Sequence, residues 1–294
     1  MPTDAVLLDG PWEHRFIAAN GARFHLVEAG AGRPVLLVHG YPGFWWTWRA
    51  VLPALAAAGH RAIAVDVRGF GGSDKPPSGY DLTTAAADLA GLIRSLGEEQ
   101  ATVVGHGLGA WTVRHLGVFA PAVVSAVGLV SMPAPGRLGP YAAPLPRAQL
   151  RHYLRGLRMT TPRDPGGADV SSGEVERVLR TGSGPDRRWL TAEVVERHTD
   201  ALAQPFVAHA TSESFDRLRP SSRERRQIAQ RIALTPRVFV AHGARDPFVG
   251  LAEALRVTRD AQGPLRVEII PEAGHFVPDE VPGALSTALI EWLR

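Results

Sequence analysis

Two residues in the last fifth of the chain, Asp246 in "VAHGARDPFVG" and His275 in "PEAGHFVPDEVP", have the types and the order of a carboxylate that orients an imidazole base. Each follows a run that reads as a β-strand. The group they would serve is expected in "VVGHGLGAW" at 103–111, where Gly105-His106-Gly107-Leu108-Gly109 has the spacing Gly-x-nucleophile-x-Gly of a sharp strand-to-helix turn. The central residue of such a turn stands above the sheet. Here it is Gly107, which has no side chain with which to attack.

The same stretch satisfies Gly-x-Gly-x-x-Gly/Ala through Gly105, Gly107 and Ala110, the pattern of a dinucleotide-binding turn. That turn belongs in the first βαβ unit, with an acidic residue about 20 positions further on for the ribose. Several strand-like runs precede it here, and no Asp or Glu occurs from 111 to 163. The dinucleotide reading is set aside, and no cofactor is expected.

Upstream, "LLVHGYPGFWWTWR" supplies His39-Gly40 and a tight turn, from which the backbone N–H of Tyr41 would converge with that of Leu108 as an oxyanion hole. Each assignment has a plainer competitor. An Asp before Pro247 is common in turns, and a loop histidine is often an ordinary surface residue. The order of the residues behind their strands favours the chemical reading. His39 is read as a turn-bonding residue and His106 as an elbow residue beside the pocket, and no His-x-x-x-His or carboxylate spacing supports a metal site. Phe44, Trp45, Trp46 and Trp48 are read as packing and pocket wall. Ser73 and Ser131, the conceivable displaced nucleophiles, are read as turn residues.

The elements that must position these groups are legible as an alternation. Strands are expected at 23–30, 34–40, 61–69, 101–107, 125–131, 237–243 and 265–272, most of them continuously apolar as in strands covered on both faces. Helix-period segments lie at 81–96, 108–120, 250–260 and 282–294. The pattern implies an α/β fold with a mainly parallel, doubly wound sheet. It breaks between Ser131 and Pro236, where a Pro/Gly-rich entry leads into polar helical stretches without a clear strand. A structureless loop of that size is improbable, so 132–235 is expected to be a helical cap inserted over the sheet's C-terminal edge, with 1–131 and 236–294 forming the core.

Composition narrows the classes further. The chain has 294 residues, 45% of them hydrophobic, enough for a sizeable core. It has no cysteine, which excludes disulfides and thiolate chemistry. Net charge is only +3 with Lys75 the sole lysine, and the basic run "RLRPSSRERRQIAQR" at 217–231 lacks interleaved aromatics, so nucleic acid is not an expected partner. No apolar stretch approaches the ~20 residues of a membrane span, and the N-terminus lacks a signal-peptide pattern, so a cytoplasmic location is expected. The partners expected are a small apolar molecule and, as a homodimer, a second copy of the chain.

Taken in order, "HGYPGFWWTW", "DVRGFGGSDKP", "GHGLGA", "GARDP" and "AGHF" resemble the α/β-hydrolase superfamily, in its epoxide hydrolase and haloalkane dehalogenase branch. The resemblance implies an α/β-hydrolase fold with a helical cap, Asp246 as the acid, His275 as the base and Tyr41 and Leu108 as oxyanion donors. In that family the elbow reads Gly-His-Asp-Trp-Gly, and its aspartate forms an ester that a His-activated water hydrolyses. Gly107 cannot form that ester. Two cap tyrosines would hold the epoxide oxygen; Tyr141 or Tyr153 is the candidate for the first, and Phe215 stands where the second is sought. A dehalogenase reading fares worse, because Leu108 replaces the Trp that would help hold halide. Besides an engineered substitution at Gly107, two readings of function stay open. One is an epoxide hydrolase-like enzyme using His275 and Asp246 as a general base without a covalent intermediate; the other is a catalytically silent protein that keeps the pocket, since glycine relieves elbow strain in either case.

Overall fold

The structure, a computed structural model, describes residues 5–132, 171–217 and 233–294. Strands β1 (Glu13–Ala19), β2 (Ala22–Ala29), β3 (Arg33–Val38), β4 (His60–Val65), β5 (Ala101–His106), β6 (Val124–Val130), β7 (Arg237–Gly243) and β8 (Leu265–Ile270) form one sheet in the order β1-β2-β4-β3-β5-β6-β7-β8. β2 runs antiparallel to both of its neighbours, and β3 through β8 are parallel.

The continuous apolar runs arise because successive side chains of these strands enter two separate cores. On β3, Val35 and Leu37 face one layer while Leu36 and Val38 face the other. Helix α1 (Val51–Ala57) covers the first face, and α2 (Leu82–Ser95) and α3 (Leu108–Phe119) cover the second. Asp81 starts α2 by accepting the Thr84 N–H at 2.9 Å.

In the region 132–235 the described residues hold α4 (Ser172–Gly182), α5 (Ala192–Leu202) and α6 (Val207–Arg217), and no strand. Helix α7 (Pro282–Leu293) closes the chain against α1. The inserted helices meet the loops at the C-terminal edge of the sheet: His198 of α5 packs edge-on to Phe44 and Trp46, and Phe215 of α6 packs edge-on to Tyr41. Among the described residues no helix is long and apolar enough to cross a membrane.

The N-terminal hairpin differs from the sequence expectation, which has no strand at 13–19. β1 is an edge strand with mostly exposed or half-buried residues, so it lacks the apolar run by which the others are recognised. It is tied down by a polar chain, buried at its inner end, in which Leu8 O, His14, His25 and Asp66 are joined at 2.9, 2.9 and 2.7 Å.

Candidate active site

Parallel strands bring all their C-terminal ends to one edge of the sheet, and the four segments singled out in the sequence start there. His39 and Tyr41 follow β3, Gly107 follows β5, Asp246 follows β7 and His275 follows β8. The turn between β5 and α3 has Gly107 at φ 54° and ψ −117°, a backbone region in which an L side chain is strained. Its flanking glycines are needed for a different reason. A Cβ on Gly105 would lie 2.5 Å from Gly109 O, and one on Gly109 would lie 2.3 Å from His39 O. Gly40 is pressed in the same way against His106 O, at 2.6 Å.

Gly107 is not enclosed by backbone. The first contact of a Cβ at this position is Nε2 of His275 at 3.3 Å, with Gly40 Cα at 3.9 Å. The imidazole therefore presents one nitrogen to the point from which a nucleophile would rise. Its other nitrogen, Nδ1, donates to Asp246 Oδ2 at 2.8 Å. The remaining carboxylate oxygen, Oδ1, accepts the N–H groups of Phe248 and Val249 at 2.8 and 3.0 Å, which fixes the acid. Both His275 and Asp246 are buried. With Nδ1 protonated against a carboxylate, Nε2 carries the lone pair of a base.

His39 and His106 are held as neutral scaffold. His39 accepts the Val67 N–H at Nε2 (3.1 Å), which leaves its Nδ1–H to donate to Gly40 O (2.9 Å) and fold the turn that carries Tyr41. Burial lowers the affinity of His39 for a second proton. His106 donates from Nε2 to the His275 carbonyl at 2.8 Å, and burial brings its pKa down to about 3. Sequence reasoning did not find His242, which is buried with Nδ1 4.0 Å from Asp246 Oδ2; burial lowers its pKa too, so this is a ring contact and not an ion pair.

The N–H groups of Tyr41 and Leu108 make no backbone hydrogen bond among the described residues, as donors reserved for a ligand oxygen would. A cavity of about 90 Å³ adjoins them, with Tyr41, Phe70, Tyr80, Leu108, Thr211 and Phe215 among its walls but neither His275 nor Asp246. The Tyr41 phenol is buried, which raises its pKa and keeps it protonated. Phe215 lies with its ring centroid 5.2 Å from that of Tyr41.

Trp45 is placed differently from the sequence expectation. It is fully buried, bonded through Nε1 to Val6 O (2.8 Å) and through its backbone N–H to Asp66 Oδ1 (2.8 Å), and stacked edge-on to Trp12. It anchors the N-terminal segment, because its indole N–H finds an acceptor there and not in a cavity. Phe44 is buried against Trp46 and His198. Ser73 serves its turn, donating to Asp66 O and accepting from the His25 N–H. Tyr141 and Tyr153 lie outside the described residues.

Known proteins share this fold. The family model described as alpha/beta hydrolase fold matches residues 33–282. Epoxide hydrolase A of Mycobacterium tuberculosis is 30% identical over 324 residues, covering 95% of this chain and 96% of that protein. Among solved structures, epoxide hydrolase A from Mycobacterium thermoresistibile superposes with a TM-score of 0.78 at 27% identity, covering 96% of this chain and 98% of that one. An epoxide hydrolase from an endophytic Streptomyces gives a TM-score of 0.74 at 29% identity, with 97% and 96% covered.

Proposed function

The chain belongs to the α/β-hydrolase fold family, in its epoxide hydrolase-like branch, and on that premise we propose that it is a divergent hydrolase using His275 and Asp246 as a general base on water. The substrate is a small apolar molecule with a strained or activated bond, an epoxide first among them. No covalent intermediate forms on the enzyme. The observation that carries this reading is the placement of His275 Nε2 3.3 Å from the position of a residue-107 Cβ, with Nδ1 held by Asp246 at 2.8 Å.

In the proposed reaction His275 Nε2 takes a proton from a water molecule as its oxygen bonds to a ring carbon of the epoxide. The carbon–oxygen bond on that carbon breaks, and its electron pair stays on the ring oxygen. The abstracted proton returns to that oxygen as the diol forms, so that one water is added and no charge is left. Asp246 holds the ring in the reactive tautomer and stabilises the imidazolium while it exists. For an ester or lactone, charge moving onto the carbonyl oxygen would be met by the Tyr41 and Leu108 N–H groups.

General-base assistance of this kind supplies about 10²–10⁴-fold, and binding with an oxyanion hole leaves about 10³–10⁴-fold over water in a serine protease stripped of its triad. This suffices for reactive substrates without a nucleophile at 107. The competing reading, a silent binding or accessory protein, is favoured by the same glycine, since relief of elbow strain is what loss of chemistry would leave.

A panel of epoxides and activated esters, assayed with wild type, His275→Ala and Gly107→Asp, separates the two. The enzyme reading expects His275→Ala to abolish a measurable wild-type rate. Equal background rates for wild type and His275→Ala, with epoxide turnover gained by Gly107→Asp, would establish the silent protein instead.

A further inference from the structure

Glu280 lies on the short helical turn Val277–Glu280 that follows the His275 loop, and its carboxylate is spent entirely on backbone. Oε2 accepts the N–H groups of Gly184 and Gly274 at 2.8 and 2.9 Å, and Oε1 accepts that of Phe276 at 2.9 Å. Gly274 and Phe276 are the two neighbours of His275. Gly184 belongs to the inserted region, two residues beyond the end of α4. The His275 N–H itself donates to Gly182 O at 2.7 Å, so three consecutive backbone N–H groups around the base are committed to Glu280 or to the end of α4.

The contact is close-packed as well as hydrogen-bonded. A Cβ on Gly274 would lie 2.3 Å from Gly184 N and 2.4 Å from Gly182 O, and one on Gly184 would lie 2.3 Å from Glu272 O. Neither segment can be displaced without the other. Its hydrogen-bond partners are backbone N–H groups, and burial raises its carboxyl while those three N–H groups and the nearby His275 lower it. A half-buried carboxylate held on backbone amides is a costly way to gain stability alone. It does, however, supply several acceptor lone pairs in one rigid group, which no neutral side chain offers.

We propose that Glu280 is the positioning residue of the base, tying both amides that flank His275 to the first described segment of the cap so that cap seating and imidazole placement are one arrangement. This rests on His275 being the working base. Its consequence is that a shift at Gly182–Gly184 is transmitted to the imidazole through one shared carboxylate and one direct bond.

The test reads His275 itself by NMR in the whole protein. The proton on Nδ1, hydrogen-bonded to Asp246, gives a low-field resonance identified by its loss in His275→Ala, and amide exchange is followed at Gly184, Gly274 and Phe276. In Glu280→Ala all three amides are expected to exchange at least about tenfold faster, the factor that one bond to a charged acceptor supports. The His275 resonance shifts or is lost, while that of His25 against Asp66 stays in place. Glu280→Gln presents one oxygen and one NH₂; the Phe276 amide alone is expected to become fast, with a smaller shift at His275. Should Glu280→Ala not fold, Glu280→Gln decides. A His275 resonance at its wild-type position in either folded variant, with the amides exposed, would overturn the proposal. An inactive wild type would sink the reading of function and leave these resonances untouched, so the two failures are distinguishable.

Discussion

His275 Nδ1 lies 2.8 Å from Asp246 Oδ2, and the other oxygen of that carboxylate is pinned by the N–H groups of Phe248 and Val249. The ring is thus oriented by an acid that cannot rotate away. Asp246→Asn preserves an acceptor for the two N–H groups but can offer Nδ1 an NH₂, which favours the tautomer with the proton on Nε2. The fold is expected to survive and kcat/KM on any wild-type substrate to fall about 10²–10⁴-fold. Steady-state kinetics beside a thermal melt checks both halves, and an unchanged rate would remove the dyad from the chemistry.

Gly107→Ala separates strain from function. With φ at 54° a methyl group is expected to cost about 1–3 kcal/mol, read as a lower urea midpoint at unchanged slope. Because a Cβ there sits 3.3 Å from His275 Nε2, it also takes the space in which the proposed base would meet a water, and the wild-type rate is expected to fall with the stability. A variant as stable as wild type would show that the elbow stores no strain.

Phe215 tests whether the site can be returned to the chemistry of its relatives. Its ring stands 5.2 Å from Tyr41 and shares a cavity wall with Leu108. In a Gly107→Asp background, Phe215→Tyr is expected to raise epoxide turnover about tenfold, the value of one hydrogen bond to the developing oxygen charge. No gain over Gly107→Asp alone would mean that the added hydroxyl does not reach the substrate.

The pair of His25 with Asp66 predicts an acid limit to stability. Burial alone would raise the Asp66 carboxyl, but the His25 hydrogen bond and charge, with the Gly72 N–H, outweigh it and hold the pKa below the ordinary carboxylate value. A depressed carboxyl contributes stability that is complete above the unfolded pKa, about 3.9, and is lost as pH falls through the folded value. Asp66→Asn breaks a buried pair and is expected to cost about 3–5 kcal/mol at neutral pH. The gap between wild type and variant should narrow only below about pH 4. Urea titrations across the acid range measure it, and a gap independent of pH would refute the assignment.

Much of this was legible in the sequence because it depends on local pattern. Seven strand runs were expected, and strands occupy all seven places, for continuous apolarity is what a strand covered on both faces requires. Helices expected at 81–96, 108–120 and 282–294 occur at Leu82–Ser95, Leu108–Phe119 and Pro282–Leu293. The strand at Glu13–Ala19 escaped because its sequence, EHRFIAA, opens on three polar residues and carries no such run. Asp246 and His275 could be placed from their strands, and the sheet brings their side chains together. Glu280 could not, since its partners are backbone amides, one of them 96 positions away, and an amide leaves no trace in a residue string. The packing of Trp45 was legible, but its bond to the Val6 carbonyl was not, for a related reason.

The glycines of the elbow are unequal in what they would tolerate. At 105 and 109 any substituent runs into main chain, so a library randomised there would return only collapsed variants. At 107 the nearest atom is the tip of one ring, 3.3 Å away, and the cost of a side chain lies in the φ of 54° instead. The seat for an attacking group is therefore intact and unfilled, and a single codon change is enough to restock it.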